Sequence, residues 1–222
     1  MTTAGVVIFD VNETLSDMAP MARRFAEVGA PELLAKVWFA SLLRDGFALT
    51  STGATERFSV IGAGALRSVL SGVDLTMDLS SAVQHVMDGF SSLGLHPDVP
   101  DGVRALAAGG ARLFTLTNGS VQVAERLFGA AGISQHFEGL LSVDDAGVWK
   151  PAPGAYAYAA RMCGADPTDM ILVAVHPWDI DGAARAGLHT CWINRGDDTY
   201  PDYFRPPEIM VTALPELAGY LT

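Results

Sequence analysis

Apolar positions follow different rhythms in different parts of this chain. Val6-Val7-Ile8-Phe9 is an uninterrupted apolar run that stops at Asp10, the pattern of a parallel strand covered on both faces. From Met18 to about Leu93 the spacing is helical throughout. Pro20 suits the first turn of a helix reaching Gly29, and Pro31 opens a second through Leu33, Leu34, Val37, Trp38, Leu42 and Leu43, with Gly46 near its end. Thr55, Phe58, Ile61, Leu66, Val69 and Leu70 predict a third helix; Leu79, Val83, Val86, Met87 and Phe90 predict a fourth.

Beyond Pro97 and Pro100 the rhythm alternates. A helix over 101–108 leads to a strand over 112–116, then Thr117-Asn118-Gly119-Ser120 and a helix over 121–131. A strand over 139–143 is followed by a turn at Asp144-Asp145 and a helix carrying Tyr156. The strand over 170–175 runs into His176-Pro177-Trp178-Asp179 and a helix from Ile180. Strands near Thr190 and Ile209 complete the series. Strands alternating with helices predict an α/β fold with a doubly wound parallel sheet. Residues 1–15 and 98–222 form its core, and residues 16–97 form an inserted four-helix cap. Such caps close over a site and exclude water. No repeat, low-complexity run or flexible linker interrupts this plan.

Composition narrows the choices. A chain of 222 residues, half of them hydrophobic, is long enough to bury a core, yet no apolar run approaches the ~20 residues of a membrane helix. The start of the chain carries no basic region ahead of an apolar one, so no secretory signal is expected. Cys163 and Cys191 suggest no disulfide framework, and the expected compartment is the cytoplasm. The formal net charge of −11 argues against nucleic acid or an anionic membrane as partner. A small anionic substrate would then need local positive charge or backbone N–H groups.

Polar groups recur where apolar runs end: Asp10, Thr117-Asn118, Lys150 and Asp179. Open α/β sheets bind ligands at the carboxyl ends of their strands. A carboxylate there, with Thr14 one turn on, can act as a nucleophile, although a strand-ending Asp also caps turns. Lys150 is one of two lysines in the chain, and Pro151 and Pro153 hold its backbone. Asp179 equally suits a helix cap. No second histidine or cysteine stands at ligand spacing from His176, which argues against a metal site there.

In order and spacing these motifs resemble the haloacid dehalogenase superfamily, and within it the type II 2-haloacid dehalogenases. The passages are Phe9-Asp10-Val11-Asn12-Glu13-Thr14-Leu15, Leu116-Thr117-Asn118-Gly119-Ser120, Leu141-Ser142-Val143-Asp144, Lys150-Pro151 with Tyr156, Trp178-Asp179, and Thr190 to Arg195. The resemblance implies hydrolysis of a short 2-haloacid to the 2-hydroxy acid through an aspartyl ester. Asp10 would be the nucleophile and Thr14 its orienting hydroxyl. Thr117 and Asn118 would hold the substrate carboxylate, and Lys150 would keep Asp10 ionised. Asp179 would position or deprotonate the hydrolytic water, with Tyr156 and Trp178 at the site. A homodimer is one assembly this resemblance implies.

Departures from the family pattern carry information too. Phosphatases of the superfamily place a second acid two residues after the nucleophile, where this chain has Asn12, and a metal-binding acid where it has Val175. Halide leaves without a proton, so Asn12 suits dehalogenation better than phosphate-ester cleavage. No cofactor is expected, and Mg²⁺ is disfavoured. The family's halide-binding arginine beside the cap Trp is replaced by Phe39, with Arg44 further along the same helix as a substitute. His176 stands where the family has Asn and is a second candidate for that task. A phosphatase or phosphonatase-like hydrolase, and an inactive relative that binds small carboxylates, remain the alternative readings.

Overall fold

A computed structural model of the chain describes residues 5–221. The chain divides into two compact units, one running through Ser16 and again from Leu95 onward, the other spanning Asp17–Gly94.

In the first unit six parallel strands form one sheet. They are β1 (Val6–Phe9), β2 (Arg112–Thr117), β3 (Phe137–Ser142), β4 (Met170–Ala174), β5 (His189–Ile193) and β6 (Ile209–Val211), in the order β3-β2-β1-β4-β5-β6. β1 is central, paired to β2 through Val6–Arg112 and to β4 through Val6–Met170. Every residue of β1 is buried, as its unbroken apolar run requires when both faces are covered. Val7 and Phe9 enter a core shared with Val99, Val103 and Leu106 of α5 (Val99–Ala108) and with Ala124, Leu127 and Phe128 of α6 (Val121–Ala130). After β3 come a single turn α7 (Val143–Ala146) and α8 (Pro153–Cys163); after β4 comes α9 (Pro177–Arg185), which packs on β4 and β5. The chain leaves β1 for β2 on one side and later returns to β4 on the other. The carboxyl ends of β1 and β4 are therefore the switch point of the sheet.

The second unit contains α1 (Pro20–Glu27), α2 (Leu34–Ser51), α3 (Phe58–Leu70) and α4 (Leu79–Ser91). Trp38 of α2 is its hub. The indole ring lies 6.1 Å from Phe25 and 5.7 Å from Phe90, and its Nε1–H donates to the Gly62 carbonyl at 2.9 Å. Phe90 in turn stacks on Phe58 at 5.1 Å. Asp78 caps α4 by accepting from the Ser81 N–H, one of the donors a helix start leaves unpaired.

Some elements depart from the sequence expectation. Gly46 does not end α2; it is a buried interior residue and the helix continues to Ser51, because packing overrides a glycine's modest helix penalty. The helix expected from Ile180 begins at Pro177, whose fixed φ and missing N–H suit a first turn. β3 starts at Phe137 rather than Gly139, drawn in by the Phe137 ring stacked on Phe128 at 4.4 Å. Asp144 and Asp145 lie in the single turn α7, ended by Gly147 at φ 71. Among the described residues no helix is long and apolar enough to cross a membrane. Cys163 and Cys191 are both free and buried.

Candidate active site

The switch point gathers the charged residues that the sequence scatters. Asp10 follows β1 directly, and its N–H continues the ladder to the Val173 carbonyl at 3.0 Å. The chain then turns back on itself, Leu15 and Ser16 both donating to the Val11 carbonyl. That turn brings the Thr14 hydroxyl onto Asp10 Oδ2 at 2.6 Å. The Val175 N–H donates to the same hydroxyl oxygen at 3.1 Å, which directs the Thr14 proton toward Asp10.

Lys150 is fully buried between two carboxylates. Its Nζ lies 3.0 Å from Asp10 Oδ1 and 2.6 Å from Asp179 Oδ2. The Asn118 side chain fixes the lysine backbone from both sides, accepting from the Lys150 N–H at 3.0 Å and donating to its carbonyl at 3.3 Å. Asp179, in the first turn of α9, accepts at Oδ1 from the Tyr156 hydroxyl at 2.6 Å. Gly182 makes room for that phenol, since a Cβ there would lie 2.5 Å from the Tyr156 oxygen. A buried ion pair needs such satisfaction on every side, because the desolvation of each charge is expensive.

These contacts pull the two carboxylates apart in acidity. Burial works against ionised Asp10, but the Lys150 charge, then His176 and the Thr14 hydrogen bond, hold it well below the usual carboxylate range. For Asp179 burial outweighs the Lys150 attraction, and the Asp10 charge adds to it, so its carboxyl is raised. Burial also opposes the Lys150 charge, yet the two acids together raise its pKa. Tyr156 is raised well above its ordinary value by burial and by Asp179, and so remains a phenol donor. Paired acids pushed in opposite directions are the signature of divided roles.

The rest of the unit's candidates flank this cluster. Thr117, buried at the end of β2, accepts from the Gly119 N–H at 2.9 Å. Asn12 is buried beside them, since a Cβ on Gly119 would lie 3.2 Å from both Asn12 Nδ2 and Thr117 Oγ1. His176, for which the sequence offers no metal partner, is bonded at both nitrogens: Nδ1 to Asp10 Oδ2 at 3.2 Å and Nε2 to Glu13 Oε2 at 2.8 Å. Trp178 stacks on that imidazole at 4.9 Å and stands 5.9 Å from Lys150 Nζ. Burial disfavours the imidazolium, but the bonds to Asp10 and Glu13 outweigh it and raise His176 to about 9. Glu13 was not singled out in the sequence; its only signal was a charge inside the nucleophile motif. Among the described residues no group of three or more His, Cys, Asp or Glu could hold a metal ion.

Phe39 and Arg44 belong to the other unit. Phe39 is buried with its ring edge toward Trp38 at 6.4 Å. Arg44 is exposed on α2 and pairs with the neighbouring Asp45 at 2.8 Å.

Residues 5–187 match the family model described as haloacid dehalogenase-like hydrolase. The chain belongs to that family. An (S)-2-haloacid dehalogenase of Pseudomonas putida is 27% identical over 217 residues, covering 97% of this chain and 95% of the relative. The solved L-2-haloacid dehalogenase RSc1362 superposes with a TM-score of 0.92 at 27% identity, covering 99% of each chain. A dehalogenase solved as an intermediate complex gives a TM-score of 0.92 at 26% identity, covering 100% of this chain and 98% of the other. The doubly wound α/β fold expected from the strand–helix alternation, and the family named from the motifs, are those of this haloacid dehalogenase-like hydrolase.

Proposed function

We propose that this hydrolase replaces the halogen of a short 2-haloacid by hydroxyl through an aspartyl ester on Asp10. The observation that carries this reading is the ladder Asp10–Lys150–Asp179, one carboxylate held ionised and the other raised on a shared buried ammonium. An ionised Asp10 supplies the nucleophile, forming a C–O bond as the C–halogen bond breaks and halide leaves with its electron pair. Asp179, the more basic acid, then takes a proton from the water that attacks the ester carbonyl carbon. The Thr117 hydroxyl and the backbone N–H groups opening α6 suit the substrate carboxylate. Asn118 supports the site through the Lys150 backbone. On this reading the inserted helical unit is the family's cap. The two free cysteines support a cytoplasmic setting, and a homodimer is the proposed assembly.

The family also includes enzymes that use Mg²⁺, and the donor set here does not suit that ion. Both oxygens of Asp10 are engaged by Lys150, Thr14 and His176, and position 175 supplies a valine in place of an acid. Magnesium needs several oxygen ligands in octahedral array. Asn12 likewise lacks the proton an alkoxide leaving group needs. These residues favour dehalogenation over phosphate-ester cleavage and make metal-independent turnover the proposal.

The test is halide release from chloroacetate, bromoacetate, fluoroacetate and 2-chloropropionate, with and without EDTA, beside a generic phosphatase assay. Chelator-insensitive halide release is expected. Phosphate release that needs Mg²⁺, without halide release, overturns the reading.

A further inference from the structure

The two oxygens of Asp10 are not equivalent. Oδ2 accepts from Thr14 at 2.6 Å and faces His176 Nδ1 at 3.2 Å, so both its lone pairs are engaged. Among the described residues Oδ1 faces Lys150 Nζ, at 3.0 Å, and keeps one lone pair for attack. His176 is itself clamped. Glu13 Oε2 lies 2.8 Å from Nε2, so each ring nitrogen faces a carboxylate and the imidazolium, with a proton on both, points Nδ1–H at Asp10, while Trp178 stacks against the ring.

The residue that supplies the clamp sits in an unusual backbone. Glu13 has φ 62, in the left-handed region that favours glycine. The surrounding core holds it there: His96 bonds the Glu13 carbonyl at 3.0 Å, Ser16 Oγ accepts from its N–H at 3.3 Å, and Arg195 donates to the Thr14 carbonyl at 3.0 Å. A strained side-chain-bearing residue, pinned so that its carboxylate meets a histidine on the nucleophile, points to function.

We propose that His176 and Thr14 form an oxyanion pocket around Asp10 Oδ2 that serves the hydrolysis of the aspartyl ester, with Glu13 the positioning residue that aims His176. The inference rests on the dehalogenase reading above. Once Oδ1 carries the substrate carbon, Oδ2 is the ester carbonyl oxygen. Water adds to the Asp10 carbonyl carbon, giving one proton to Asp179, and negative charge develops on Oδ2 between the two donors. Collapse breaks the bond from the carbonyl carbon to Oδ1. The departing 2-hydroxy acid takes the proton back from Asp179, and the re-formed Asp10 carboxyl releases the remaining proton to solvent.

The charged groups facing His176 are Asp10 at the end of β1 and Glu13 in the turn after it. Lys150, from the loop before α8, stands on the other oxygen of Asp10, and Asp179 of α9 lies beyond it. Three of these four are acids, so the imidazolium is the favoured form, in keeping with its pKa of about 9.

The test is rapid-quench turnover of 2-chloropropionate with enzyme in excess, following halide by ion chromatography and the ester on Asp10 by intact-protein mass spectrometry. Wild type should release halide with little ester present. His176→Ala should form ester at close to the wild-type rate but hydrolyse it about 10²-fold more slowly, the usual loss of one oxyanion donor. His176→Asn, which restores a donor, should recover part of that loss. Glu13→Gly relieves the backbone while removing the carboxylate, and Glu13→Gln keeps the bond without the charge. In both, the alkaline fall in ester hydrolysis should move to lower pH than in wild type, because the Glu13 charge that favours the imidazolium is gone. Equal slowing of ester formation and hydrolysis in His176→Ala, or an unmoved alkaline limb in both Glu13 variants, overturns the inference alone. Wild type that releases no halide overturns the dehalogenase reading, and the inference with it.

Discussion

In the helical unit the side chains wholly removed from water include Trp38, Phe25, Leu42 and Leu66; in the α/β unit Lys150 and Asp179 are removed as completely. Among the described residues every buried polar or charged side chain lies in the α/β unit, at or near strand ends. The helical unit has an oil-like interior joined by ring contacts. The α/β unit carries a second kind of interior that only holds together when each charge has its partner. Burial alone therefore does not mark a site. Burial of charge against its solvation preference, at the switch point of a sheet, does.

The sharpest way to break this comparison is Asp10→Asn. Halide release should fall by roughly four orders of magnitude or more, as when a nucleophile is removed. The fold should survive, because Lys150 keeps Asp179 at 2.6 Å and an amide still accepts from Thr14. Retained activity in a sample verified free of deamidation would remove Asp10 from the chemistry.

Two substitutions of similar size should separate the interiors by pH. Lys150→Met leaves Asp10 and Asp179 facing each other without a cation, at a cost of about 3–5 kcal/mol at pH 7. Lys150 contributes to holding Asp10 below its ordinary value, so that stabilisation is present above the ordinary carboxylate pKa and lost as pH falls. The gap between wild type and variant in urea unfolding should therefore stay open from pH 7 to about pH 4 and narrow only below it. Trp38→Ala opens a cavity and loses an indole hydrogen bond, also costing about 3–5 kcal/mol, with the same gap above and below about pH 4. Matching pH profiles for the two variants would erase the distinction.

His176→Gln probes the edge of the charged interior. The folded pKa of about 9 lies above the ordinary histidine value, so its stabilisation is complete below about pH 6.5 and lost as pH rises through 9. The wild type should exceed the variant by about 2–3 kcal/mol at pH 6. That difference should close by pH 10; one that stays constant would mean a neutral, packed histidine.

The sequence made one half of this contrast far easier to read than the other. Apolar runs ending at Asp10 and Thr117 announced strands and their carboxyl ends, since a covered strand permits few other patterns. Lys150 was visible through its rarity and its flanking prolines. Glu13 was not, because its partner His176 lies 163 positions away and its φ of 62 is imposed by contacts from His96 and Arg195. The role of Asn118 as a clamp on the Lys150 backbone was equally hidden, as pattern reveals the residue type and not its partner.

Helix faces were the other loss, and Arg44 shows why. Its place on the Trp38 helix made it a substitute for the halide arginine missing at Phe39, but residues two apart on a helix do not share a face. Leu42 is fully buried, and Arg44, two positions on, projects with 71% of its side chain exposed onto Asp45. Surface pairs of this kind contribute little to stability. Arg44→Ala should accordingly have the smallest effect, halide release staying within about twofold of wild type and the melting temperature unchanged. A large fall in turnover with normal ester hydrolysis would instead put Arg44 at the departing halide. It would also mean that the helical unit, for all its apolar interior, supplies a charge to the reaction from its surface.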